Sequence, residues 1–181
     1  ASNFKVQGSG KFNPPSIAIF ASDAKGDTPP MRVIQGPKTQ LNWAAGMALD
    51  PGNGDIYIAN DMGHSILVFK ETDKGDVAPS RVIKGSKTAL HNPTGVSLDL
   101  KNKEVWASNL GNSSATVYPL NANGDVAPLR IIRSAPLGKV SLKFGKTESV
   151  AYDSKRQELL VPNCVNHPQI AAFSRLAKDF K

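Results

Sequence analysis

Apolar residues along this chain come in short alternating bursts, and each burst is cut by a cluster of glycine, proline, asparagine or aspartate. Bursts rich in valine, isoleucine, tyrosine and phenylalanine with a period of two read as strands, and the intervening clusters as tight turns. No stretch keeps a helical apolar period for the length of an ordinary helix. In the best-preserved stretch the pattern predicts strands at 94–100, 104–109, 115–119 and 129–133. Leu100-Lys-Asn-Lys103, Gly111-Asn-Ser-Ser114 and Asn121-Ala-Asn-Gly-Asp125 between them supply residues that tolerate turn geometry.

The same pattern recurs at a step of 49 residues. Gly26-Asp27-Thr-Pro-Pro-Met-Arg32-Val-Ile is answered by Gly75-Asp76-Val-Ala-Pro-Ser-Arg81-Val-Ile and by Gly124-Asp125-Val-Ala-Pro-Leu-Arg130-Ile-Ile. Ser16-Ile-Ala-Ile-Phe20, Ser65-Ile-Leu-Val-Phe69 and Ser114-Ala-Thr-Val-Tyr118 keep that register, with Gln169-Ile-Ala-Ala-Phe173 as a drifted fourth copy. The aspartates Asp50, Asp99 and Asp153 close one repeated strand, and the asparagines Asn60, Asn109 and Asn163 close the next. From Asp99 to Asp153 the step is 54, which places a five-residue insertion within 133–148. A fixed period of this size marks units that cannot bury their faces alone and must stack on one another. Four antiparallel strands per unit make an all-β fold, the blade of a β-propeller.

The run Pro93-Thr-Gly95-Val-Ser-Leu-Asp99, then Glu104-Val-Trp-Ala-Ser-Asn109, then Ala115-Thr-Val-Tyr118 resembles the NHL-repeat type of blade. Asn123-Gly-Asp-Val-Ala-Pro-Leu-Arg130-Ile-Ile is similar to linkers between blades in bacterial, mostly secreted, members of that group. The resemblance covers almost the whole chain. It speaks for a fold more than for an activity, since propellers carry many unrelated functions.

The 181 residues form one domain, a partial ring, in this reading: an N-terminal extension at 1–15, a half blade at 16–36, blades at 41–85 and 90–133, an insertion at 134–148 and a partial blade at 149–181. Closed propellers use about four to eight blades, and an open arc leaves strand edges unpaired. A single such chain is therefore expected to be too short to close a ring. Three arrangements satisfy the edges: two copies completing one six-bladed ring, a longer polypeptide of which this is a piece, or a different subunit that supplies the missing strands.

Composition adds little to the fold and something to the partners. At 40% hydrophobic the chain is ordinary for a globular domain, and no apolar run approaches the ~20 residues of a membrane span. The formal charge of +7 is compatible with an anionic partner, and solubility and nonspecific adhesion account for it more simply. A sequence opening at Ala1 suits a mature chain freed of its leader, so a secreted or periplasmic bacterial protein is expected. One cysteine forbids an internal disulfide.

The candidate chemistry is sparse. Cys164 and His167 form a Cys-x-x-His pair, two of the ligands that a metal needs, and too few for a closed site. His64 and His167 each stand four residues after an equivalent asparagine, where the intervening unit has Ser113, and His91 lies elsewhere in its unit. The histidines read as loop residues, and neither a metal nor another cofactor is expected. Asp50, Asp99 and Asp153 are expected to accept turn N–H groups, and Asn60, Asn109 and Asn163 to satisfy loop backbone. Arg32, Arg81 and Arg130 are expected to reach a carboxylate on the neighbouring blade, and Gly26-Asp27 with its copies to be turn chemistry. Glu104 and Glu158, matched to Asp55, read as solvated.

No nucleophile elbow, zinc-protease helix motif or phosphate loop is present. The leading functional expectation is a noncatalytic binding or scaffold module. The resemblance also implies two alternatives, a six-bladed hydrolase or lactonase with an axial divalent metal, and a propeller that reads single-stranded RNA. Nucleic acid is disfavoured because the lysines scatter through turns without interleaved aromatics. Function is most readily added where repeat symmetry breaks. That singles out Phe4 and Phe12 in the extension, and Lys139, Lys143, Phe144 and Lys146 in the insertion, both segments carrying alternation suited to extra strands or docking.

Overall fold

The protein is described here by a computed structural model covering residues 14–136, 139, 141–142, 144–163 and 169–177. Among these residues thirteen strands form four antiparallel sheets: β1 (Ser16–Ile19) with β2 (Arg32–Gln35), then β3 (Ala44–Asp50), β4 (Asp55–Asn60), β5 (Ser65–Lys70) and β6 (Arg81–Ile83). The third sheet holds β7 (Pro93–Asp99), β8 (Glu104–Asn109), β9 (Ser114–Pro119) and β10 (Arg130–Ile132). The fourth holds β11 (Ala151–Asp153), β12 (Glu158–Asn163) and β13 (Gln169–Ser174). Each sheet is a simple meander, so every strand pairs with its neighbour in sequence, and the strands of the third sheet fall within one residue of those the periodicity predicts.

Two full blades stand between a two-stranded and a three-stranded partial blade among the described residues. Both faces of the middle strands of the two full blades are buried, because those blades are sandwiched between neighbours. One core joins the second blade to the third through Tyr57, Ala59, Ile66, Val68, Val96 and Val105, and another joins the third to the fourth through Trp106, Val117, Phe144, Leu159 and Val161. The innermost strands β3 and β7 run so close that a Cβ on Gly46 would lie 2.7 Å from the Thr94 carbonyl oxygen, which explains a glycine inside a strand.

A second device ties blade to blade. After β5 the chain returns along the outer strand of the preceding blade, with the Gln35 amide donating to Gly75 and the Gly75 amide to Val33. One repeat later, Lys84 donates to Gly124 and Gly124 to Val82. Asp76 then accepts from the Lys38 amide at 2.7 Å, and Asp125 from the Lys87 amide at 2.8 Å. The glycine–aspartate pairs are thus latches between blades as well as turns. The latch needs a residue without a side chain opposite it. Gly85 has φ 142°, and a Cβ there would lie 2.2 Å from Asp125 Cγ. Gly85→Ala is expected to lower stability by about 1–3 kcal/mol, measured by chemical denaturation, because the new methyl must push the latch open in a backbone region alanine disfavours.

Among the described residues the arc is open at both ends. Met47 on β3 is 64% exposed, while Val96, one repeat on, is 6% exposed under the second blade. Ile170 on β13 is 73% exposed, while Ile66, its equivalent two blades earlier, is fully covered. The same positions are core where a neighbour exists and surface where none does.

The insertion folds inward. Its described residues adopt loops and turns rather than an extra strand, because Arg133 gathers them, donating to the Pro136 and Lys139 carbonyls, while Ser134 and Ser141 bond each other. Phe144 is fully buried and stacks on Phe173 at 4.7 Å, so it serves the core rather than a binding surface. Lys139, Leu142 and Lys146 remain exposed. Phe4, Phe12, Lys143, Cys164 and His167 lie outside the described residues.

Candidate functional site

The repeated polar residues are best understood from what the chain must satisfy at each blade edge. Asn60 accepts from the Asn42 amide at 2.6 Å and donates to the Gln40 carbonyl and Ser65 Oγ. Asn109 repeats the pattern with His91, Ser114 and Thr116, and Asn163 donates to the Leu142 carbonyl. Asp50 accepts from Gly52, Asp99 from Asn102, and Asp153 from Lys155 and Arg156. A buried amide or carboxylate bonded to loop backbone holds that loop against its blade.

The arginines depart from expectation in an instructive way. Arg81 pairs with Asp55 of its own blade at 2.8 Å, and it reaches the next blade through the carbonyls of Leu120 and Ala122. Arg130 likewise pairs with Glu104 of its own blade at 2.8 Å and donates to the Arg175 carbonyl beyond. The carboxylate lies within the blade because β4 and β6 flank β5 with their side chains on one face, and a guanidinium spans that width. Arg32 has no such partner among the described residues, and its Nε is buried without a hydrogen bond. Each paired arginine also lies over an aromatic ring, Arg81 at 5.3 Å from the Tyr57 centroid and Arg130 at 5.4 Å from that of Trp106.

Glu104 is therefore not a solvated turn residue. It is 5% exposed and holds both Arg130 and, at 3.0 Å, Arg175 from the following blade. Beside it Tyr152 stacks on Trp106, and its phenol is pushed up to about 12 by burial and by the nearby Asp99 carboxylate.

One interface earlier the same positions leave a groove. A cavity of about 590 Å³ opens between the second and third blades, floored by Tyr57, Asp55 and Arg81 and rimmed by Lys103 and Asn121. The Tyr57 hydroxyl donates to the Leu120 carbonyl and accepts from Arg81, fixing the floor. Asp55 accepts from Lys70, from Arg81 and from Asn53. Burial alone would raise its pKa, but Lys70 and Arg81 outweigh that and hold it below the usual carboxylate range. The sign follows: a depressed folded pKa stabilises above the unfolded value of about 3.9 and is lost as pH falls through the folded one. Asp55→Asn is expected to cost about 1–2 kcal/mol at neutral pH, reduced because Lys70 is half exposed, and the difference from wild type should shrink below about pH 4 in acid-denaturation series.

Beyond the other end of β4, away from the groove, His64 and His91 stack at 5.1 Å, and the Asn92 backbone amide donates to His64 Nδ1. The three-dimensional structure thus joins two histidines that the repeat register keeps apart. Among the described residues no three histidine, cysteine, aspartate or glutamate side chains converge as a metal site. No described helix is long and apolar enough to cross a membrane.

No protein-family model matches the sequence, and no curated protein matches it. Solved structures do. Hydrazine synthase of Kuenenia stuttgartiensis superposes with a TM-score of 0.58 at 12% identity, over 80% of this chain and 36% of that one. A nidogen/laminin complex gives 0.55 at 15% identity, over 74% of this chain and 45% of that one. Both are β-propeller proteins. The fold is a β-propeller, present as an incomplete ring. At these identities the likeness concerns the fold alone, and the chain spans less than half the length of the proteins it matches.

Proposed function

We propose that this chain is a noncatalytic propeller module of the NHL type that binds a protein or small ligand, its ring closed by further blades seated on the two open faces. The observation that carries the proposal is the exposure of Met47 and Ile170 where their repeat equivalents Val96 and Ile66 are buried. An apolar sheet face with a covered twin one repeat away is built for stacking. A second copy of the chain is our preferred occupant, since the front of the last blade and the back of β3 are two sides of one repeated interface. The polar residues favour binding over catalysis, because the repeated aspartates, asparagines and paired arginines are engaged in holding loops and blades together.

Sedimentation of the purified chain tests this. The expected result is a mass of two chains, reduced to one by Ile170→Asp, which places a charge on the buried face. A monomer that binds no hydrophobic dye and is indifferent to Ile170→Asp would overturn it. Stoichiometric divalent metal in the assembled protein would favour the axial-metal hydrolase instead. A secreted or periplasmic setting fits the reading.

A further inference from the structure

The four-blade repeat provides its own control for the groove between the second and third blades. One interface on, the corresponding space is filled by the chain itself: Arg175, which takes the place of Leu120, extends its guanidinium to Glu104, and Gln157, which takes the place of Lys103, accepts from Asn102 at 3.3 Å. In the earlier interface the equivalent Leu120 has no charged group to extend to Asp55, and the space stays open at about 590 Å³, the size of a small-ligand site.

Lys103 marks what the groove is for. Its backbone is in the left-handed region at φ 56°, where its repeat equivalents are Gly54 at φ 70° and Gln157 at φ 57°. A glycine would adopt that turn without strain, and Gln157 repays its strain with a bond to the preceding blade. The Lys103 side chain is exposed and has no carboxylate partner among the described residues. Asp55 does not neutralise it, because Lys70, Arg81 and Asn53 already occupy both of its oxygens. The groove therefore presents an unpaired cation above an apolar wall of Pro119 and Leu120 and the ring of Tyr57.

We propose that this groove binds a carboxylate, with the Lys103 ammonium on the carboxylate and the ligand's apolar body against Tyr57, Pro119 and Leu120. The carboxylate belongs either to a free organic acid or to an acidic side chain of a peptide. The inference rests on the binding-module reading and supplies the chemistry of its ligand.

Amide chemical-shift titration of the assembled protein with 3-phenylpropionate, its neutral amide and a glutamate-phenylalanine peptide tests it. Saturable shifts around residues 53–57 and 119–121 are expected with an acid. The amide should bind about tenfold more weakly, and raising salt from low to physiological strength should weaken the acid but not the amide. Lys103→Gly removes the cation at a position where glycine is at ease, so folding is retained, and it should weaken binding about tenfold, while Lys103→Arg should stay within about threefold of wild type. Binding of the free acid alone assigns a small-molecule site, and binding of the peptide alone a protein partner. Equal affinity for acid and amide, indifference to Lys103→Gly, or no saturable shift with either acid would overturn the proposal. Hydrolysis of the corresponding phenyl ester by the assembled protein would instead sink the noncatalytic reading, without altering the Lys103 comparison.

Discussion

Glu104→Ala is expected to destabilise the protein by about 3–5 kcal/mol, the range seen when one partner of a buried ion pair is removed. The reason is what remains behind. Arg130 and Arg175 are mostly buried, and both aim at Glu104 Oε1, so the substitution leaves two guanidinium groups facing each other without the carboxylate between them. One comes from the third blade and the other from the fourth, so the loss falls on the contact between blades as well as within one. Urea denaturation gives the magnitude, and a double-mutant cycle with Arg175→Met separates the interface share: the double variant should recover part of the loss, since one stranded charge has gone. A Glu104→Ala protein within about 1 kcal/mol of wild type would mean that the carboxylate is dispensable to the stack.

The second large effect is expected at Trp106. It is fully buried in the core that joins the third and fourth blades, its ring lies parallel to Tyr152, and Arg130 sits over its face. Trp106→Ala should cost about 3–5 kcal/mol, through lost burial and the cavity left in a two-sided contact. Trp106→Tyr, which restores the residue found one repeat earlier at Tyr57, should cost clearly less. Because Trp43, the other tryptophan, is partly exposed, the fluorescence shielded from a soluble quencher in the wild type should disappear with Trp106→Ala. Equal quenching of both proteins would place Trp106 at the surface.

These two residues also show where sequence reasoning was strong and where it failed. Trp106 was legible as a strand residue, because alternation within 104–109 is a local property of β-structure and the repeat multiplies it. Glu104 was misjudged as solvated. The signal was present, since Asp55 and Glu104 each precede an arginine by 26 residues, but a pairing across an intervening strand is invisible to a local pattern. Phe144 is ambiguous for the same reason: an apolar residue in a symmetry-breaking loop reads equally as a docking tip or as a plug, and only its contact with Phe173 decides.

What the chain alone determined was the blade: four strands per repeat, their turns, and the positions of Asp50, Asn60 and Arg81 with their copies, all set by periodicity and turn chemistry acting over a few residues. What only the tertiary structure decided was everything that depends on two blades meeting. The Asp76 and Asp125 latches, the own-blade partners of Arg81 and Arg130, the paired histidines and the open groove under Lys103 arise from side chains brought together across a strand or an interface. Repeats that look alike in sequence differ there, because Leu120 is apolar where Arg175 carries a guanidinium, and only the arginine crosses the gap to a carboxylate.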